Sequence, residues 1–245
     1  MRGQTVVAIN GLGGLAYLWQ SFAAALPPRF SLRVLDLAGH GELPPAAEYG
    51  YNALVEDISA RTADLAAFPL IGWSVGGAVA WLFAARYPQR VSHLVLLDPA
   101  APHQSPFRHG PIPEPVHAYT YASLEKAVGA LSAIFPRVTA DDIRALYQQN
   151  AAGRWEPRFD PRILPALVID ARDHGEEMFF ELQHIRAPVL LLRGQDSFVP
   201  ESQVQELVSA LPNAVIESVP NAGHFMVREQ PEYLATRIGT FLSVP

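Results

Sequence analysis

The chain has 245 residues, of which 49% are hydrophobic and 17% charged; this suits one large α/β domain with a sizeable core and argues against intrinsic disorder. A formal net charge of −6 speaks against a nucleic-acid partner, and the absence of cysteine excludes disulfides, thiol chemistry and cysteine-bound metals. The first residues run straight into a strand pattern without the features of a signal peptide, and no apolar run approaches the length of a membrane span, so the expectation is a soluble cytoplasmic protein with no membrane partner.

Thr5 to Ile9 is β-branched and continuously apolar, the pattern of a strand buried on both faces. A glycine turn, Asn10-Gly11-Leu12-Gly13-Gly14, leads into a helix from Ala16 to Leu26, ended by Pro27-Pro28. Leu32 to Asp36 is a second strand, followed by the turn Asp36-Leu37-Ala38-Gly39-His40-Gly41 and a proline-rich loop. Asn52 to Ala67 reads as a helix with Asn52 as its N-cap. Phe68 to Ile71 is a short apolar strand, Ala78 to Ala85 is a helix, and Val91 to Leu97 is a strand ending at Asp98-Pro99. Strands and helices alternating at this spacing predict a mainly parallel sheet with right-handed crossovers.

The alternation stops at Ala100 and no strand is predicted from Ala101 to Leu182. Ser123 to Phe135 and Thr139 to Gln149 read as amphipathic helices, the second with Thr139 as N-cap and Asp141-Asp142 in its first turn. The segment is therefore expected to be a mostly helical insertion over the carboxyl edge of the sheet. The alternation resumes with a strand at Pro188 to Arg193, a helix at Glu201 to Leu211, a strand at Ala214 to Val219 and a helix at Pro231 to Leu242. The resulting division is core 1–100, insertion 101–184 and core 185–245.

The chemistry concentrates at Gly72-Trp73-Ser74-Val75-Gly76. A Gly-x-Ser-x-Gly turn between a strand and a helix lifts the serine hydroxyl above the sheet and leaves the helix's first N–H groups aimed at whatever it attacks. The alternative for Ser74 is a plain N-cap after a glycine turn. A serine nucleophile needs a base, and the base needs a group that fixes its tautomer. His224, in Asn221-Ala222-Gly223-His224-Phe225, follows the last strand. Two aspartates follow strands: Asp196, in Gly194-Gln195-Asp196-Ser197, and Asp98. Val75 N–H and Leu12 N–H are the candidate oxyanion donors. Of the other histidines, His93 reads as packed in a strand, and His40 as part of its loop's structure. His103, His109 and His117 read as solvated residues of the proline loop, with no convincing metal set, and His174 and His184 as surface. Leu12, Trp73, Phe107, Trp155, Phe198 and Phe225 are the candidate pocket lining, although some aromatics among them belong simply to the core.

A competing pattern is present. Gly11-Leu12-Gly13-Gly14-Leu15-Ala16, with Asp36 ending the next strand, matches a dinucleotide fingerprint. It is set aside because it leaves Ser74, Asp196 and His224 without a role.

Taken together, NGLGG, DLAGHG, GWSVGG with RYPQRVSHLVLLDPA, RGQDSFVP and AGHFMVREQPEYLATRIGTFL make the sequence similar to the α/β-hydrolase superfamily over nearly the whole chain outside the insertion. The GWSVGG elbow resembles that of pimeloyl-carrier-protein methyl esterases and related carboxylesterases. The resemblance implies an α/β-hydrolase fold of about six mainly parallel strands, here all parallel, with the insertion as a helical cap. It orders the triad Ser, Asp, His and places the acid after the penultimate strand, which favours Asp196 over Asp98. It implies an ester-cleaving serine hydrolase using Ser74, His224 and Asp196, with no cofactor, acting on a small medium-acyl or aromatic ester. C–C bond hydrolase, thioesterase, perhydrolase and lyase chemistries use the same triad, and a non-hydrolytic ligand-binding protein of this fold is the alternative from another class. A carrier-protein substrate is weakly disfavoured, because eight Arg/Lys stand against eleven Asp/Glu in 101–184. The sequence departs from the family at Asn10, where histidine is usual, and at Leu43, where serine is usual. Its first strand begins within a few residues of Met1, where most relatives place an antiparallel strand pair first; without such a pair Leu32–Asp36 is expected at a sheet edge.

Overall fold

A computed structural model describes residues 3–104, 119–133, 135 and 137–243. Its elements in chain order are β1 (Gln4–Ile9), α1 (Gln20–Ala25), β2 (Phe30–Leu35), α2 (Tyr51–Arg61), β3 (Phe68–Trp73), α3 (Val75–Arg86) and β4 (Val91–Leu97). There follow α4 (Leu124–Ser132), α5 (Ala140–Leu146), β5 (Tyr147–Gln149), β6 (Trp155–Pro157) and α6 (Ile163–Glu181). The chain closes with β7 (Val189–Gly194), α7 (Glu201–Ser209), β8 (Ala214–Val219), α8 (Met226–Glu229) and α9 (Pro231–Phe241).

Six strands form one sheet in the order β2-β1-β3-β4-β7-β8, and every pair in it is parallel. The continuous apolar runs explain the layering, because successive strand residues point to opposite faces. Val7, Ile9, Leu70, Leu94, Leu96 and Leu191 join one buried cluster with α2, α3 and α7. Their neighbours Val6, Ala8, Ile71, Val95, Leu190 and Leu192 join a second cluster with α1, α8 and α9. Each buried Val, Leu or Ile contributes about 1.5–3 kcal/mol on folding, so a sheet apolar on both faces needs helices on both. At the β2 edge, Arg33 is held by Asp64 at 2.8 Å and by the Arg61 carbonyl, a charge that blunts edge-to-edge pairing.

Between β4 and β7 the expected strand-free stretch contains a hairpin. β5 and β6 pair antiparallel, Tyr147 with Pro157 and Gln149 with Trp155. The predicted helix at Thr139–Gln149 therefore ends at Leu146. Its start is as expected: Thr139 accepts from Asp142 N and the Asp142 carboxylate accepts from Thr139 N, a complete capping box. Asn52 is not the N-cap of α2; that position is Gly50, Asn52 accepts from Arg86, and the Tyr51 N–H is taken by the Asp170 carboxylate of α6 at 2.6 Å. The Glu181 carboxylate of α6 receives both Nε and Nη2 of Arg86, each at 2.7 Å, so α6 is clamped to α2 and α3 by charge-assisted bonds. Among the described residues no helix is long and apolar enough to cross a membrane.

Leu96 is fully buried in β4, between β3 and β7. Leu96→Ala is expected to lower stability by about 2–5 kcal/mol, read as a drop in urea midpoint at unchanged m-value. A loss below about 1 kcal/mol would contradict this core position.

Candidate active site

Ser74 occupies the single-residue turn between β3 and α3 with φ 56° and ψ −121°, a conformation costly for a residue with a Cβ. The surroundings over-determine it. Ser74 N donates to Leu97 O at 3.0 Å, and its carbonyl accepts from Gly77 N at 2.9 Å and Ala100 N at 2.8 Å. The turn is tight because Gly72 and Gly76 carry no side chain. A Cβ on Gly72 would stand 2.5 Å from Ala80 Cβ, and one on Gly76 would stand 2.5 Å from Ile9 O.

His224 follows β8 and is buried, with Nδ1 3.1 Å from Asp98 Oδ2. A carboxylate can only accept here, so the ring proton sits on Nδ1 and Nε2 is left basic. The ring is held by Phe198 at 4.5 Å and Trp73 at 5.4 Å between centroids. Trp73 also fixes the histidine loop directly, its Nε1 donating to the His224 carbonyl at 2.8 Å. That bond is not readable from sequence; it joins residues 151 positions apart.

The acid beside His224 is Asp98, not Asp196. Asp98 ends β4 with φ 42° and is 0% exposed. Its Oδ1 accepts from Gly194 N at 3.2 Å, and its Oδ2 accepts from Ser197 Oγ and His224. A buried carboxylate needs such donors to offset its lost hydration. Asp196 lies on the same loop as two of them, but the turn that closes with Ser197 N on Gly194 O turns its side chain outward. Its carboxylate is 59% exposed and pairs with Arg137 at 3.3 Å. Asp98 reaches His224 because β4 and β7 are adjacent strands, with Asp98 N continuing their ladder to Leu192 O. The visible signal was Asp98-Pro99 ending a strand, but strand order was needed to weigh it.

Leu12 and Val75, the candidate oxyanion donors, line one cavity with Ser74 and His224. The N–H of Val75, first residue of α3, has no intrahelical acceptor and lies at the positive end of the helix. The turn bearing Leu12 is braced from behind. Gly13 N donates to Nε2 of the fully buried His40 at 2.9 Å, and Gly14 N donates to Gly11 O. Asn10, in place of the family's histidine, gives Nδ2 to Asp36 at 2.5 Å and takes Trp19 Nε1 at 2.6 Å. The Asp36 carboxyl, raised above its ordinary range by burial and eased by Asn10, thus belongs to this brace rather than to a nucleotide ribose.

The cavity measures about 430 Å³. Of the expected lining, Leu12, Trp73, Phe198 and Phe225 belong to it. Trp155 does not line it; it sits in β6, bridged to Tyr121. Phe107 lies outside the described residues, as do His109 and His117. The segment between β4 and β7 contributes instead through Leu131, Phe135, Ile143, Leu146 and Tyr147, which α4, α5 and the hairpin bring over Ser74. His103, expected to be solvated, is buried against Phe179 with ring centroids 4.1 Å apart. His93 is half-buried, edge-on to Phe241, and His174 and His184 are exposed. Among the described residues no group of three or more His, Cys, Asp or Glu could hold a metal ion.

A strained serine at a strand–helix elbow, a buried histidine–aspartate pair and a parallel sheet define a hydrolase-type scaffold. The chain belongs to the alpha/beta hydrolase family, whose model matches residues 6–237. It is 31% identical over 223 residues to a pimeloyl-[acyl-carrier protein] methyl ester esterase of Vibrio cholerae, covering 84% of this chain and 81% of that protein. It is 28% identical over 259 residues to the sn-1-specific diacylglycerol lipase ABHD11 of Mus musculus, covering 97% and 80%. The crystal structure of E-2-(acetamidomethylene)succinate hydrolase shares the fold, with TM-score 0.79 at 22% identity over 99% of this chain and 92% of that one.

Burial pushes His40 down to about 4, because a charged ring would be desolvated. The unfolded chain takes up this proton near 6.5 and the folded one only near 4, so the unfolded state binds more protons between those values. Stability is therefore fully present above pH 6.5 and falls as the pH drops toward 4. His40→Gln is expected to flatten this part of the profile in urea titrations between pH 7 and 4.5; equal acid sensitivity in both proteins would refute it. Fluorophosphonate labelling of Ser74 separates the two aspartates. Asp98→Asn is expected to slow it by about 10⁴ through the wrong histidine tautomer, whereas Asp196→Asn, which removes an exposed ion pair, changes it less than about threefold.

Proposed function

We propose that the protein is a serine hydrolase cleaving a carboxylic ester through Ser74, His224 and Asp98. The observation that carries this reading is the His224–Asp98 pair, 3.1 Å apart and buried, opening onto the same apolar cavity as the strained Ser74. Ser74 Oγ attacks the acyl carbonyl while its proton passes to His224 Nε2. Asp98 holds Nδ1–H and stabilises the imidazolium. The carbonyl oxygen, now an oxyanion, is received by the N–H groups of Leu12 and Val75. His224 then gives its proton to the leaving alcohol. Water, deprotonated by His224, attacks the acyl-enzyme and releases the acid, returning Ser74 to its starting state.

The same residues suit a small apolar ester and call on no cofactor. The relatives named as an ester esterase and a lipase support ester cleavage as the reaction class. A protein-borne acyl group fits less well, since the 101–184 segment carries more acidic than basic residues and offers no net attraction to an acidic carrier.

The test is hydrolysis of nitrophenyl esters of increasing acyl length, with Ser74→Ala alongside. Wild type is expected to turn over the panel and Ser74→Ala to lose at least about 10⁴ in kcat. Equal activity in the two proteins, with no fluorophosphonate adduct on Ser74, would sink the hydrolase reading.

A further inference from the structure

A second cavity, about 400 Å³, lies beside the first. Val75, Leu164 and Phe198 line both, so the two share a wall next to the nucleophile. Leu167, Val168 and Ala171 of α6 form one side of the second cavity, and the backbone turn after β4 at Ala100–Pro102 forms another. Gln104 and Gln203 are the two amide-bearing residues of its lining. Each cavity by itself is of ligand size. Among the described residues that line them, none is an aspartate, glutamate, lysine or arginine.

We propose that this second cavity is a substrate subsite, so that the substrate is a neutral ester with an extended apolar group on each side of its carbonyl. The inference rests on the serine-hydrolase reading of Ser74 and adds the substrate's shape and charge. A carbonyl carbon at Ser74 has two substituents, and Ser74 sits beside Val75, which faces both cavities. A methyl ester has only one carbon on its alcohol side and leaves one cavity without substrate. Filling that cavity with methylenes instead removes apolar surface from water. A carboxylate or phosphate at the end of either arm would lose its hydration where no described lining residue is an arginine or lysine. The glutamine amides can satisfy a neutral polar group, such as a hydroxyl or a second ester carbonyl, without requiring a charge. Phe198, 56% exposed yet lining both cavities and 4.5 Å from the His224 ring centroid, stands where the two arms would diverge.

The experiment measures kcat/KM by pH-stat for methyl, butyl and hexyl hexanoate, and for hexyl acetate and hexyl butanoate. Wild type is expected to gain in both series, by roughly fourfold per methylene until each cavity is filled. Gln203→Trp fills the second cavity from its rim, and Val168→Phe fills it from α6. Each is expected to lower the long-to-short ratio in one series by at least tenfold, a ratio independent of how much of the variant is folded. The monohexyl ester of hexanedioic acid should react at least a hundredfold more slowly than hexyl hexanoate. A flat series on either arm, ratios unmoved by both variants, or a preference for the carboxylate-bearing ester would overturn the subsite. Those outcomes, with hydrolysis still lost in Ser74→Ala, leave the hydrolase reading standing. Inertness of wild type toward every ester overturns both.

Discussion

The left-handed backbone of Ser74 is the constraint from which the rest of the site follows. A residue with a Cβ holds φ 56° only where neighbours leave it no alternative. Here α3 and the end of β1 pack too closely for side chains at Gly72 and Gly76, and β4 holds the Ser74 N–H through the Leu97 carbonyl. That closeness is produced by the sheet order, in which β3 lies between β1 and β4. The strain therefore depends on the fully buried core on both faces of the sheet. What the strain achieves is placement: a hydroxyl above the carboxyl ends of the strands, next to N–H groups that no helical carbonyl can claim.

A second constraint is electrostatic. Asp98 has no access to water, so its charge is tolerable only with hydrogen-bond donors around it, and three come from the last residue of β7, the loop after it and the loop after β8. The same bonds fix the His224 tautomer. Burial and orientation are thus not separable at this residue: the donors that offset its lost hydration include the His224 ring that it orients. Trp73 adds a third tie, linking the elbow strand to the histidine loop from beside the serine.

The segment between β4 and β7 provides the walls. Its two halves differ in kind. α4, α5 and the β5–β6 hairpin close over Ser74 on one side, while α6, clamped through Glu181 and Asp170 to the core helices, walls the neighbouring cavity. Attachment of α6 to the core helices and a mostly apolar lining among the described residues suit recognition by shape and hydrophobic burial more than by charge.

Much of this was legible from one sequence. Short, largely apolar segments marked β1, β4 and β7, and the glycines flanking Ser74 marked the elbow, because these signals are local: steric demands and periodicity act within a few residues. The Thr139 N-cap was legible for the same reason. Three things were not. The β5–β6 strands are three residues long, too short for any period to register. Trp155 looked like a pocket aromatic, and only the hairpin register turned it to Tyr121. Above all, Asp98 and Asp196 both follow strands, and no local feature ranks them. The choice was made by the adjacency of β4 and β7, which brings together Asp98 and Gly194, 96 residues apart, and by a turn that faces Asp196 to solvent. Ser74 and its elbow were thus written in contiguous residues, whereas the Asp98–His224 pair, the cavities and the walls around them came from long-range packing.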